Sequence, residues 1–423
     1  MRTKETSYTA IHWFKGLLIA LLLGFTSALS AQDQPAEMSD GDTAPTTAAN
    51  DSLMSQIEIS LITCEPHNMI YALYGHTGIR IHNLQTGEDL LANWGIFDQK
   101  QSFFVVRFAF GLTDYRMEIE TWEGFVDRYN YFNCGIYEQV LDLTAQEKRN
   151  IINAVFENYL PENRYYRYNF YYDNCTTRAR DIIEKGLEGK LDYREMKEFT
   201  PTYRELIHLW NGNHLWARWG NDFLLGVGSD KATDYRQQQF LPDNLKRDFH
   251  RALISRNGEA RPLVKNEFWA TPSQYNYGGS SLLDQFTRPD AVAVYLIFIA
   301  LAITLLEKYR LKRRLWQFDA FLLLLSGIPG LILLLMIFSQ HPTVRINLQI
   351  LVFNPLSLFF AWRIINNFRK GKDCGLTLIL EFCFSVALLV NIWQTFAEGV
   401  IGLALVLFYR FMSSYGLKEN EKK

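Results

Sequence analysis

The sequence predicts an α+β domain held outside the cytoplasm and followed by an α-helical transmembrane bundle. Three observations carry this reading. The chain opens with an export segment, residues 50–288 mix strand and helix patterns with many charges and aromatics, and residues 290–412 are mostly apolar runs. With 423 residues the chain is long enough for two domain-sized units. A formal net charge of −2 gives no ground for nucleic-acid binding.

The N-terminal basic residues Arg2, Lys4 and Lys15 precede an apolar run from Gly16 to Leu23, and small residues follow through Ala28-Leu29-Ser30-Ala31. This is the pattern of a secretory signal, residues 1–31, with cleavage expected near Ser30 or Ala31. An uncleaved signal anchor would export the rest equally well. No Cys stands at the cleavage point, so the protein is not expected to be a lipoprotein itself. Residues 32–52 are small, polar and acidic. Such a segment cannot bury enough surface to offset its ordering entropy, and it is expected to be a disordered tether.

Within residues 53–288, Ile57–Thr63 and Thr77–Ile81 are β-branched runs bounded by turn formers and predict strands. Phe103–Phe110 (FFVVRFAF) predicts a buried strand, and the aromatic run Tyr165–Tyr172 is strand-like. Ala145–Tyr159 predicts an amphipathic helix, with Ile151, Ile152, Val155, Phe156 and Tyr159 at helical spacing. After Asp173-Asn174 comes Cys175-Thr176-Thr177-Arg178, with Ile182, Ile183 and Leu187 on one face of a second helix. An Asp, Asn or Thr cap there puts Cys175 at or next to the first helical turn.

That position favours nucleophilic chemistry. The positive end of a helix dipole and its free N–H groups stabilise a thiolate. A thiol also needs a general base, and His76 in Tyr74-Gly75-His76-Thr77-Gly78 is the candidate, because its flanking glycines admit close approach. Arg80 and His82 share its side of the strand by alternation. His82 or Asn93, in Asn93-Trp94-Gly95, would orient His76, and the sequence does not choose between them. Arg80, Asn174 and Arg178 are candidate substrate-binding residues, although an ion-paired Arg178 is the simpler reading. A lone Cys is more often a small buried hydrophobe than a nucleophile, so the argument rests on Cys175 and His76 together.

Cys64, Cys134 and Cys175 lie in the exported part, and Cys374 and Cys383 in an apolar stretch. Cys64 and Cys134 are able to pair in an oxidising compartment, or Cys64 lines the site. No ligand spacing for zinc occurs, and no metal or other cofactor is expected.

Five apolar stretches follow Pro289: approximately Asp290–Leu306, Trp316–Phe338, Ile346–Trp362, Cys374–Trp393 and Phe396–Met412. Each approaches the roughly 20 residues of a membrane span. Lys308, Arg310, Lys312, Arg313 and Arg314 crowd the first loop, and Arg363, Arg369, Lys370 and Lys372 the third. The positive-inside rule puts these loops, with the Lys422-Lys423 tail, in the cytoplasm. An odd number of spans in residues 289–423 then leaves residues 32–288 outside, as the export signal does independently. The loop Ser339–Thr343 and the pair Asn354-Pro355 read either as a cavity lining or as an ordinary loop and a kinked helix. The aromatic run Tyr165–Tyr172 and Trp210, Trp216 and Trp219 read as interface or as core.

Gly75-His76-Thr77-Gly78 followed later by Asn174-Cys175 resembles the lecithin:retinol acyltransferase relatives. That resemblance implies a circularly permuted papain-like thiol fold whose Cys carries an acyl group taken from a phospholipid. A longer resemblance rests on LITCEPHNMIYALYGHTGIRI, NWGIFD, FAFGLTDY, FYYDNCTTRARDII, FLPDNL and HPTVRINLQILVFNPL. These segments are similar to the Lnb-type lipoprotein N-acyltransferases. The resemblance implies a phospholipid acyl donor, a diacylated lipoprotein acceptor, a membrane location, and His76 and Cys175 as the catalytic pair. His67 departs from the small residue expected there. A membrane-tethered thiol hydrolase of lipid or cell-wall peptide, and a non-enzymatic sensor signalling through the bundle, are the alternative readings.

Overall fold

The computed structural model describes residues 51–412, apart from 68, 99, 101, 196–199, 275–285 and 373. The signal segment, the tether as far as residue 50 and the Lys422-Lys423 tail lie outside the described residues, and residues 51–55 are helical.

The chain then runs β1 (Ile57–Cys64), β2 (His76–Asn83), β3 (Asp89–Ile96), α1 (Phe104–Ala109), β4 (Asp114–Thr121), α2 (Trp122–Tyr131), β5 (Ile136–Leu141), α3 (Ala145–Tyr159), β6 (Tyr165–Arg167) and α4 (Cys175–Gly186). It continues through β7 (Lys190–Asp192), α5 (Tyr203–Asn211), α6 (Leu215–Leu224), α7 (Tyr235–Gln238), α8 (Pro242–Arg251), β8 (Leu253–Arg256), β9 (Glu259–Pro262) and β10 (Val264–Thr271). Seven strands form one sheet in the order β10-β5-β1-β2-β3-β4-β6, and β7, β8 and β9 form a small second sheet. Every neighbouring pair is antiparallel. β1 lies inside the large sheet and is buried on both faces from Ile59 to Cys64, which suits its β-branched sequence. Ile62, Cys64, Leu91, Ile136 and Phe125 of α2 form one apolar cluster beside it.

α3 starts at a capping box. The Thr144 hydroxyl accepts from the Glu147 N–H and the Glu147 carboxylate accepts from the Thr144 N–H, a local device worth about 1 kcal/mol. Ile151 and Val155 are its fully buried face. Two strand expectations need correction. Tyr165–Tyr172 is a strand only to Arg167, after which Asn169 and Asp173 bridge a tight turn. Phe103–Phe110 is no strand at all: it is α1, whose Phe103, Val106 and Phe108 stand in the open at 80%, 53% and 39% exposure.

The physical cause of the second correction lies 230 residues away. The last carbonyls of a helix lack intrahelical partners. Here the Ser339 hydroxyl donates to the Ala109 carbonyl at 2.8 Å, the Gln340 N–H to Phe110 at 2.9 Å, and His341 Nε2 lies 3.0 Å from the Phe108 carbonyl. A loop after the second apolar helix thus caps α1 and selects helix for a run whose pattern fits either structure.

The C-terminal part comprises α9 (Pro289–Leu306), α10 (Trp316–Met336), α11 (Pro355–Phe359), α12 (Ala361–Arg369), α13 (Leu376–Val390) and α14 (Val400–Met412). A π-helical turn extends α9 to Leu311, and the 23-residue result and the 21-residue α10 are long and apolar enough to cross a membrane. The third expected stretch is a broken helix pair that is apolar enough to count as a bent span. A 3-10 turn at Leu348–Leu351 precedes α11, and the pair is bent by 69° against α12. α13 and α14 are shorter apolar helices of 15 and 13 residues. The break is satisfied internally, as a lipid environment demands. The Ser326 hydroxyl donates to the Val352 carbonyl at 2.6 Å and accepts from the Asn354 N–H at 3.1 Å. At the other end, buried Arg410 pairs with Glu307 at 2.6 Å and Asp319 at 3.0 Å, and Arg314 also binds Asp319.

The α+β part is fastened to these helices. Phe223 of α6 shares an apolar cluster with Val352, Phe353 and Leu380, and Trp219 stacks on it. Trp219 is therefore partly buried against the core, whereas Trp216 is half exposed. Gln349 Nε2 donates to the Asp222 carbonyl at 2.8 Å and Asn347 Nδ2 to the Phe223 carbonyl at 2.8 Å. The polar residues of the third stretch thus fasten one part to the other. Gly226 lets the two backbones touch: a Cβ there would stand 2.0 Å from the Ile346 carbonyl oxygen. Arg204, nearly solvent-free, holds the same corner by bridging Asp222 and Asp230.

Candidate active site

Asn174 is the N-cap of α4, and Cys175 is the first helical residue. Every hydrogen-bonding group of the Asn174 amide is used. Its Oδ1 accepts from the Thr176 and Thr177 N–H groups at 2.9 Å, and its Nδ2 donates to the Phe170 and Phe240 carbonyls at 2.9 Å. An amide saturated in this way has nothing left for a substrate, so Asn174 positions Cys175 instead of binding a ligand. The cap covers the second and third N–H groups of the helix and leaves the Cys175 N–H outside it.

α4 is held to β2 by a buried bridge between the Thr77 and Thr176 hydroxyls at 3.0 Å. That contact brings Cys175, half-buried, against His76 at the start of β2. Burial of Cys175 works against its thiolate, but the adjoining His76 and the Thr77 N–H outweigh it and bring the thiol below its usual pKa. For His76, burial opposes the charged ring, and the Cys175 thiolate with the Asn93 contact raises the pKa overall. Both shifts favour a thiolate–imidazolium pair.

His76 Nε2 lies 2.6 Å from Asn93 Oδ1. The Asn93 amide faces this way because its Nδ2 donates to Glu120 Oε1 at 2.7 Å, and Arg128 in turn pairs with Glu120. An acceptor-only carboxylate must take the NH2 end, which leaves Oδ1 for the ring and makes Nε2 the ring donor. Nδ1 is then the nitrogen left for the thiol. Of the two orienting candidates the geometry brings Asn93 to His76. His82 is six residues along the strand, roughly 20 Å away by strand rise, opposite Glu58 and Asp89.

The other candidate residues have these partners. Arg80 pairs with Asp89 at 2.6 Å and Glu138 at 2.7 Å and lies over the Trp122 ring, so its charge is spent inside the fold. Arg178 binds Asp173 through two nitrogens and lies 3.7 Å from the Tyr166 ring centroid, the ion-paired arrangement that is the simpler reading of the sequence. Cys64 and Cys134 are free thiols. Cys64 is buried directly opposite His76 in the β1–β2 register, and burial pushes its pKa far up, which keeps it a thiol. His67 stacks on Phe132 with ring centroids 4.3 Å apart, and burial lowers its pKa. Glu120 went unnoticed in the sequence. Only the sheet register, with Asn93 opposite Glu118 and Glu120 one pleat further, brings it near.

A half-buried thiol paired with an oriented imidazole, on an α+β domain fastened to apolar helices, defines a membrane-anchored protein with a candidate thiol site. Residues 45–208 match the Lnb N-terminal periplasmic domain and residues 282–422 match the Lnb transmembrane domain. The chain belongs to the Lnb family, with its N-terminal domain in the periplasm and its C-terminal part in the membrane. No curated protein and no solved structure matches it.

Proposed function

We propose that the protein is a lipoprotein N-acyltransferase that moves a fatty acyl chain from a phospholipid to the N-terminal α-amine of diacylglyceryl-cysteine lipoproteins. The observation that carries the reading is the capped Cys175 beside a His76 held by Asn93 and Glu120. The order of a His strand before a Cys helix supports a permuted papain-like thiol domain. The basic first and third loops support a cytoplasmic C-terminus.

In the first half-reaction the Cys175 thiolate attacks the ester carbonyl of a phospholipid. The C–O bond breaks, the His76 imidazolium gives its proton to the departing oxygen, and a lysophospholipid leaves a thioester on Cys175. In the second, the lipoprotein amine attacks the thioester while neutral His76 takes its proton. The C–S bond breaks, the product is an amide, and the thiolate–imidazolium pair is restored. The Cys175 N–H at the helix start supplies one donor to the oxyanion of each tetrahedral intermediate. Asn93 keeps the ring in one tautomer through both steps. No cofactor is needed for either step.

The test is mass spectrometry of a lipoprotein N-terminal peptide from cells lacking their own N-acyltransferase and expressing this chain with Cys175 or with Cys175→Ser. A third acyl chain that appears only with Cys175 is the expected result. With the protein expressed and inserted, no third chain in either strain would overturn the reading.

A further inference from the structure

α1 is a short helix that buries little. Phe103, at its start, has φ of 58° and is 80% exposed, an unfavourable conformation and an unfavourable exposure for a large aromatic. Val106, Phe108 and Leu112 extend the same open apolar surface at 53%, 39% and 40%. A patch of this kind on an otherwise charged domain marks a contact with something apolar.

The position of α1 says what that is. Its C-terminal carbonyls are capped by Ser339, Gln340 and His341. That loop begins three residues after the end of α10, one of the two helices long enough to cross a membrane. Ile337 and Phe338, the residues just before it, are themselves exposed at 44% and 74%. Exposed apolar side chains of the bundle therefore run up to the very loop that caps α1, at the end of the bundle that the periplasmic domain covers. From there an aromatic series leads inward. Phe108 and Tyr168 have ring centroids 6.4 Å apart, and Tyr168 and Tyr115 4.2 Å apart. Burial raises the Tyr168 phenol pKa, and the nearby Cys175 thiolate adds to it.

We propose that α1 is a lip set into the periplasmic leaflet of the membrane, where Phe103, Val106, Phe108 and Leu112 lie against phospholipid acyl chains beside the way to Cys175. Apolar burial in the leaflet offsets the strain at Phe103, as it does for interfacial helices in general. The use of the lip in acyl transfer rests on the function proposed above, but its immersion in lipid does not.

The experiment uses the full chain with Cys175→Ala, reconstituted in vesicles of phosphatidylethanolamine and phosphatidylglycerol. p-Benzoylphenylalanine replaces Phe103 or Val106, with Phe298 on α9 and Asn257 in the exposed β8–β9 turn as reference positions. After irradiation, phospholipid adducts are read by mass spectrometry. Adducts at 103 and 106 as at 298, with none at 257, are expected. Adducts at 298 with none at 103 or 106 would overturn the proposal, and so would equal labelling at 257. The chain with Cys175→Ala lacks the proposed nucleophile, so failure of the acyltransferase reading would leave these outcomes unchanged.

Discussion

Asn93 reaches His76 diagonally: the residue directly opposite Asn93 on β2 is Gly78, and His76 lies two residues along that strand. Diagonal neighbours in an antiparallel pair are roughly 7–8 Å apart at the backbone, within reach of side chains that lean together. A Cβ at Gly78 would meet the Ala92 carbonyl oxygen at 3.1 Å and the Leu91 side chain at 3.3 Å, so the glycine suits the close approach of β2 to β3 where the 2.6 Å contact forms.

Replacing Asn93 by Ala removes a hydrogen bond to a charged ring, worth about 1.5–3 kcal/mol. The expected result is a fall in kcat/KM of roughly 10- to 100-fold. The pH profile carries the sharper signature. The reactive pair exists above the lowered pKa of Cys175 and below the raised pKa of His76. Asn93 is one of the groups raising His76, so in Asn93→Ala the basic limb moves to lower pH while the acid limb stays. An unchanged basic limb would separate Asn93 from the ring.

Glu120→Gln tests the next link outward. A neutral amide in place of the carboxylate is able to present NH2 to Asn93 and to let that amide turn, exposing His76 to the wrong partner. Activity should fall less than in Asn93→Ala, with the folded stability of the domain retained. Thermal melting and acyl transfer measured on the same preparation check both halves.

Arg204→Met leaves Asp222 and Asp230 without their buried cation. Breaking such a pair costs about 3–5 kcal/mol. The expected outcome is a marked drop in the melting temperature, read by circular dichroism of the detergent-solubilised chain. Because Asp222 and its neighbours also receive Gln349 and Asn347, the loss should spread to the attachment of the bundle.

Two glycines give opposite outcomes. Gly226→Ala forces a Cβ against the Ile346 carbonyl and should loosen the join between domain and bundle, detected as faster limited proteolysis. Gly220→Ala, in the middle of α6 with open space around it, should be neutral or stabilising by about 0.5–1 kcal/mol. Equal proteolysis in the two variants would remove Gly226 from this role.

Local chemistry made much of this architecture legible. α3 runs from Ala145 to Tyr159 as its periodicity predicts, because its cap, Thr144 with Glu147 three residues on, lies within its own first turn. The same holds for the cap that puts Cys175 at a helix start. Where the deciding partner is distant, the sequence is silent. α1 looks like a strand until Ser339, Gln340 and His341 supply its missing hydrogen bonds. The choice between Asn93 and His82 needs the register of β2 on β3, and Glu120 needs that of β3 on β4. Arg80 and Arg178 are attractive as anion ligands only while their carboxylate partners are unseen.

The cap on α1 also orders events in time. Chains are made from the N-terminus, and domains tend to fold as they emerge. The residues that finish α1 are more than 220 positions behind it, beyond two membrane-crossing helices. A nascent chain thus contains its thiol and imidazole well before it contains the residues that cap α1. Completion of α1 waits on the second long helix of the bundle, so that a chain cut before Ser339 keeps Cys175 and His76 but lacks the groups that cap α1.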